Sequence, residues 1–343
     1  MNKVIKKERE SNIELLRLLA MFLVLVVHAD FFSLEAPTLN DTLSTPTNAL
    51  FRFFFESLSI VCVNVFVLIS GWFGIKPSIK SFCNFVFQCL FFLIGIYIVL
   101  LACGLTSPSI NGLAGCFCML KENWFIKAYI GLYILSPVLN AFIKNADKKT
   151  YENVLIAFFV FQTVYSWFTG AAVFFENGYS TMSFIGLYLL AQYLKLYQLK
   201  KIVLPPPFWY LLGYGIITII MAIVCFFFTR IGLSIISGRM FAYVNPLVIA
   251  SALCLLLYFN GLKLKSKFIN WCAASSFSIF LLHTNPNLCE PYFKTFVQGI
   301  YNNNDGLNFL LLIFAFLLAV GIIAILIDQI RKVLWKIVVM KYF

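Results

Sequence analysis

Apolar runs of membrane length follow one another along the whole chain, separated by short connectors, and no polar stretch is long enough to build a separate soluble domain. Backbone N–H and C=O groups in hydrocarbon must be satisfied within their own segment, so runs of this kind fold as helices. Of 343 residues, 62% are hydrophobic and 12% are charged, about half the charged share of an average soluble domain. Mean hydropathy is +0.91. The fold class expected is an all-α, polytopic integral membrane protein. Ten spans are expected, at 12–32, 50–74, 82–104, 124–143, 152–174, 182–198, 208–229, 240–260, 268–289 and 307–328. They form one membrane domain over 1–343, with a short flank at 1–11 and a tail at 329–343.

The net charge of +12 is distributed as topology signals rather than as a binding patch. Connectors on one side hold Lys3, Lys6, Lys7 and Arg9, then Lys76 and Lys80, then Lys144, Lys148 and Lys149. Lys195, Lys200 and Lys201 follow, then Lys263, Lys265 and Lys267, and finally Arg331, Lys332, Lys336 and Lys341. The opposite side has only Arg52, Lys121, Lys127, Arg230, Arg239 and Lys294. This alternation requires an even number of spans and places both termini in the cytoplasm. No basic patch interleaves with aromatics, so nucleic acid is not an expected partner. The ten cysteines lie mostly in apolar runs without metal-ligand spacing, and Cys116 and Cys118 are too close for a staple. They read as small buried hydrophobes, and no metal is expected. A basic flank without a small-residue cleavage site marks the first run as an uncleaved span. The prolines at 205–207 make a stiff start to the seventh span.

Within the first run, LLRLLAMFLVLVVHA, stand Arg17 and His28. Charged groups at membrane depth are expensive and mark partners or tasks. Eleven residues of helix come within about 20° of three full turns, so both side chains share a face, roughly 16 Å apart along the axis. The only other histidine is His283. Counted from the inward ends of their spans, His28 and His283 have similar depth in the outer half of the membrane. Histidine is a neutral base near physiological pH, suited to taking a proton from an attacking hydroxyl; packing is the plainer alternative for each ring.

Other candidates gather around this pair. Glu14 and Arg17, at i,i+3, form a local pair at the inward boundary, either an anchor or a positive socket for a phosphate-bearing donor. Asp30 lies two residues past His28 and faces elsewhere on an ideal helix. Ser70 and Gly71, in NVFVLISGWF, read as close helix packing or as the border of a narrow passage. Arg230 and Arg239 flank the outer connector between the seventh and eighth spans, as snorkelling residues or as recognition groups for an anionic acceptor.

At these residues the chain resembles the membrane acyltransferase family known as acyltransferase-3, common among bacterial surface-polysaccharide O-acyltransferases. NIELLRLLAMFLVLVVHA is similar to its first helix, with arginine, ten intervening residues and histidine. NVFVLISGWF resembles its second helix, WFIKAYIGLYILSPVLNAF its fourth-helix region and SSFSIFLLH its late span. The resemblance implies transfer of an acyl group, commonly acetyl, from cytoplasmic acyl-CoA to a hydroxyl of a surface polysaccharide or lipid-linked glycan, in the bacterial cytoplasmic (inner) membrane. It implies His28 as the catalytic histidine, Arg17 as part of the donor and catalytic path, and Ser70 and Gly71 beside the same cavity. Many relatives carry paired arginines where GIKPSIKSF has Lys76 and Lys80.

The mechanism expected is direct transfer. His28 accepts the acceptor's proton while the CoA head group stays near Glu14, Arg17, Lys76 and Lys80, and no tightly bound cofactor is needed. His283, with Asp30, Arg230 and Arg239, is expected on the acceptor side. An acyl-histidine route, a transporter or flippase of lipid-linked saccharides, and an inactive scaffold remain alternatives.

Overall fold

The computed structural model describes residues 9–117, 123–170, 174–198 and 206–340. Lys3, Lys6, Lys7, Lys121, Lys200, Lys201 and Lys341 of the charge pattern, together with Cys118 and Pro205, lie outside the described residues. All described secondary structure is helical: α1 Ser11–Ala29, α2 Pro46–Ser59, α3 Cys62–Phe73, α4 Ile79–Ala102, α5 Trp124–Asn145, α6 Lys148–Phe161, α7 Thr181–Tyr193, α8 Pro207–Arg230, α9 Pro246–Asn260, α10 Ser276–His283 and α11 Gly306–Leu334, with shorter helices between them.

Among the described residues, six helical stretches are long and apolar enough to cross a membrane, not ten: Ser11–Leu34, Pro46–Phe73, Ile79–Ala102, Trp124–Asn145, Pro207–Arg230 and Gly306–Val339. The other four expected spans are too polar, short or broken. The 152–174 segment is α6 continued by a π-helical stretch, Gln162–Phe168, and polar residues at both its start and its middle lower its hydropathy. The 182–198 segment is the 13-residue α7 with a π-helical extension. The 240–260 segment is interrupted before Pro246, where Asn245 caps α9. The 268–289 segment divides into Lys267–Ala273 and the eight-residue α10. Hydropathy averaged over a window passes across such breaks without registering them.

α1 runs through the middle of the helix assembly, in contact with α2, α3, α9, α10 and α11. The stretch Pro46–Phe73 is the most enclosed of the six and Gly306–Val339 the most peripheral. α3 crosses α7 at Gly71, where an added Cβ would lie 2.7 Å from the Tyr188 carbonyl oxygen and 2.8 Å from Ala191 Cβ. Only glycine permits that approach, so Gly71 serves helix packing. α11 is fixed to α4 through the fully buried Asp328, which accepts from Arg331 Nε at 2.8 Å and Gln88 Nε2 at 3.0 Å.

The connector between α1 and α2 packs against α2 and α8. Its helix Leu39–Ser44 begins with a reciprocal cap: Thr38 donates to Asp41 from its backbone and its hydroxyl, both at 2.7 Å, and its hydroxyl accepts from the Asp41 N–H. Those bonds, the backbone one foremost, hold the Asp41 carboxyl below the usual carboxylate range. Arg230 is tied to this helix, donating to the Thr42 carbonyl at 2.8 Å.

Candidate active site

α1 ends at Asp30, whose backbone leaves helical geometry, and α10 ends one residue before Thr284. The two helix ends bring their histidines together: His28 Nδ1 lies 2.7 Å from His283 Nε2. The far side of His283 decides the proton positions. Its Nδ1 lies 2.6 Å from the Ile279 carbonyl oxygen, and a carbonyl only accepts, so Nδ1 carries hydrogen. Neutral His283 then has a bare Nε2, which accepts from His28 Nδ1–H. Neutral His28 is left with a bare Nε2 and its ring held from behind, the form a general base requires.

Phe32 lies 5.3 Å from the His28 ring, and Phe280 and Phe293 lie 6.0 Å and 5.4 Å from that of His283. His283 is buried, whereas His28 is partly open. The opening is to two cavities. One, of about 700 Å³, is lined by His28, Glu56, Trp124, Tyr179, Arg239 and Tyr243 among others. The second, of about 350 Å³, includes His28, Thr284 and Asn285 in its wall. The two share His28, Phe32, Trp124 and Phe280, so His28 stands where they meet.

Glu56 is the most anomalous group in the larger cavity. It is 3% exposed, and its Oε2 has no hydrogen-bond partner. A buried polar group without a partner costs on the order of 1–3 kcal/mol, and this one sits in the wall of the cavity that His28 also lines. Sequence reading passed over Glu56, although a glutamate inside the run ALFRFFFESLSIVCVNVF is itself a signal.

The remaining expected residues are dispersed. Arg17 pairs with Glu14 at 3.5 Å and lies over the Phe73 ring at 5.9 Å, three turns from His28 and away from both cavities. Lys195, not singled out in the sequence, lies over the same ring at 5.5 Å and donates to the Trp72 carbonyl at 2.6 Å. Phe73 thus gathers two cations. Lys76 and Lys80 are exposed and line neither cavity. Ser70 donates back to the Phe66 carbonyl at 3.1 Å, and with Gly71 in the α3–α7 crossing neither residue borders either of these two cavities.

On the expected acceptor side, Arg239 lines the larger cavity and donates to the Phe168 carbonyl at 2.9 Å. Arg230 does not line it, being bound to Thr42. Asp30 accepts from Arg52 Nε at 2.7 Å, and Arg52 also donates to the Glu35 carbonyl. That clamp fixes the end of α1, and Asp30 lines neither cavity. His283 has both ring nitrogens engaged and therefore none to offer an acceptor. Among the described residues no three His, Cys, Asp or Glu side chains cluster to hold a metal.

Residues 10–328 match the Acyltransferase domain family, acyltransferase-3. The chain belongs to that family. No curated protein and no solved structure gives a match. The matched segment of this acyltransferase-3 chain contains the Phe73 end with Arg17 and Lys195, the His28–His283 pair, and every lining residue of both cavities.

Proposed function

We propose that the protein is a membrane O-acyltransferase, with acetyl as the favoured group, moving it from cytoplasmic acyl-CoA to a hydroxyl of a surface polysaccharide or lipid-linked glycan. The reading puts it in the bacterial cytoplasmic membrane with both termini inside, in keeping with the basic connectors. One observation carries it: a histidine with a bare, backed Nε2 at the junction of two cavities. In this reading the CoA phosphates sit at the Phe73 end, near Arg17 and Lys195, with Lys76 and Lys80 as further charges in the connector. The three helical turns from Arg17 to His28 are a span that an extended pantetheine arm bridges. The acceptor hydroxyl approaches through the larger cavity. His28 takes its proton, the oxygen attacks the thioester carbon, and the departing sulfur recovers the proton.

The deciding experiment incubates purified protein in lipid with labelled acetyl-CoA and a cell-envelope glycan fraction. Label arriving on the glycan supports the reading. Its absence with folded protein, or solute movement without acyl-CoA consumption, overturns it.

The larger cavity combines aromatic faces (Trp124, Tyr179, Tyr243) with the Glu56 carboxyl, a set suited to a sugar's C–H faces and hydroxyls. Replacing Glu56 with leucine removes both the ligand contact and an unpaired polar group. Glu56→Leu is therefore expected to raise the acceptor KM by about 2- to 10-fold, consistent with one lost hydrogen bond, while raising Tm. Kinetics against the glycan fraction and a thermal melt check the two opposite signs together.

A further inference from the structure

We propose that the side-chain amide of Asn285 is the hydrogen-bond donor to the acyl carbonyl oxygen as that oxygen becomes negative; this rests on the acyl-transfer reading above. Asn285 follows His283 by two residues and is 1% exposed. Its Oδ1 accepts from the Asn287 N–H at 3.0 Å. A backbone N–H only donates, so the oxygen and nitrogen of this amide are assigned by the bond itself. The Asn285 carbonyl in turn accepts from the Leu288 and Cys289 N–H groups at 2.9 and 2.8 Å. The residue is thus held at both backbone and side chain, and yet Nδ2 has no hydrogen-bond partner.

Asn285 lines the smaller cavity, whose wall also contains His28. The neighbouring hydroxyl of Thr284 is already committed to the Phe280 carbonyl at 2.7 Å. A fixed donor, buried and unpaired, in the same cavity wall as the base is what a developing oxyanion needs: its dipole is oriented before reaction.

The step balances without another reactant. The acceptor O–H proton goes to His28 Nε2 as the new C–O bond forms. The carbonyl π electrons move onto oxygen, which accepts from Asn285 Nδ2. On collapse the C–S bond breaks, the sulfur takes the proton from His28, and an ester and a thiol leave.

The test uses the full chain in lipid with labelled acetyl-CoA and the same glycan fraction. Asn285→Asp keeps an oxygen for the Asn287 N–H but replaces the donor; it is expected to fold and to lose on the order of 10²–10³ in kcat with the acetyl-CoA KM unchanged. Asn285→Ser, with a smaller O–H donor, is expected to recover part of the loss, an order that a structural role alone does not produce. A second readout needs binding only. Acetyl-CoA labelled with ¹³C at the carbonyl is bound to His28→Ala protein with no acceptor present, and its infrared C=O stretch is compared with that in His28→Ala/Asn285→Ala. A lower frequency that returns toward the free value in the double variant supports the contact. An unchanged stretch, or Asn285→Asp with kcat within threefold of the parent, overturns Asn285 while leaving the acyltransferase reading intact. A parent that transfers no acetyl overturns that reading and the contact with it.

Discussion

His28→Ala is expected to lower acetyl transfer by on the order of 10³–10⁴, at the upper end of what a positioned general base contributes, while the protein still binds acetyl-CoA. The expectation follows from the ring's two sides. Nδ1 is committed to His283, so the chemistry at His28 goes through Nε2, and alanine removes that atom without touching the cations near Phe73. Steady-state transfer with labelled acetyl-CoA, alongside a binding isotherm and a melt, separates lost chemistry from lost binding or lost fold. Transfer within 10-fold of the parent would remove His28 from the role of base.

His283 commands an effect of similar size by a different route. Its Nε2 selects which nitrogen of His28 carries hydrogen, and its own state is set by the Ile279 carbonyl. With His283→Leu, that acceptor is lost, and His28 is free to adopt the tautomer whose Nε2 already bears a proton and is useless as a base. Losing the positioning partner of a catalytic histidine costs on the order of 10²–10⁴ in kcat. His283→Gln offers a carbonyl oxygen on a chain of similar reach and is expected to retain intermediate activity. The order parent, glutamine, leucine in kcat, at constant KM for acetyl-CoA, distinguishes positioning from acceptor binding, which would appear in the acceptor KM instead. The partner here is a second imidazole rather than a carboxylate, so no fixed negative charge stands behind the base.

The sequence carried the class of protein and the level of the site further than its detail. Apolar runs and basic connectors identify a helical membrane protein, and the family resemblance at Arg17 and His28 agrees with the match over 10–328. Similar depth for the two histidines followed from counting along their spans, and the structure has them 2.7 Å apart. Which nitrogen of each ring carries hydrogen was not legible, because it depends on the Ile279 carbonyl, a tertiary detail. The helix count failed where Asn245–Pro246 and Ala274–Ser275 interrupt apolar stretches, since breaks of one or two residues barely change a hydropathy average. Asp30 and Arg230 looked like acceptor groups because a charge near a site carries no indication of its partner; Arg52 and the Thr42 carbonyl claim them. Asn285 had no distinguishing mark at all, since Asn-Pro reads as an ordinary turn and its unpaired Nδ2 exists only in three dimensions.

The junction of two cavities at one histidine has a consequence for the order of events. If a single chamber served both substrates in turn, the acyl group would have to be parked on the protein while thiol left and acceptor arrived. Two chambers that meet at His28 allow donor and acceptor to be resident together, with the acyl group passing straight between them. Double-reciprocal plots of initial rate against acetyl-CoA, at several acceptor concentrations, are then expected to intersect rather than run parallel, and free thiol to accumulate only when acceptor is present.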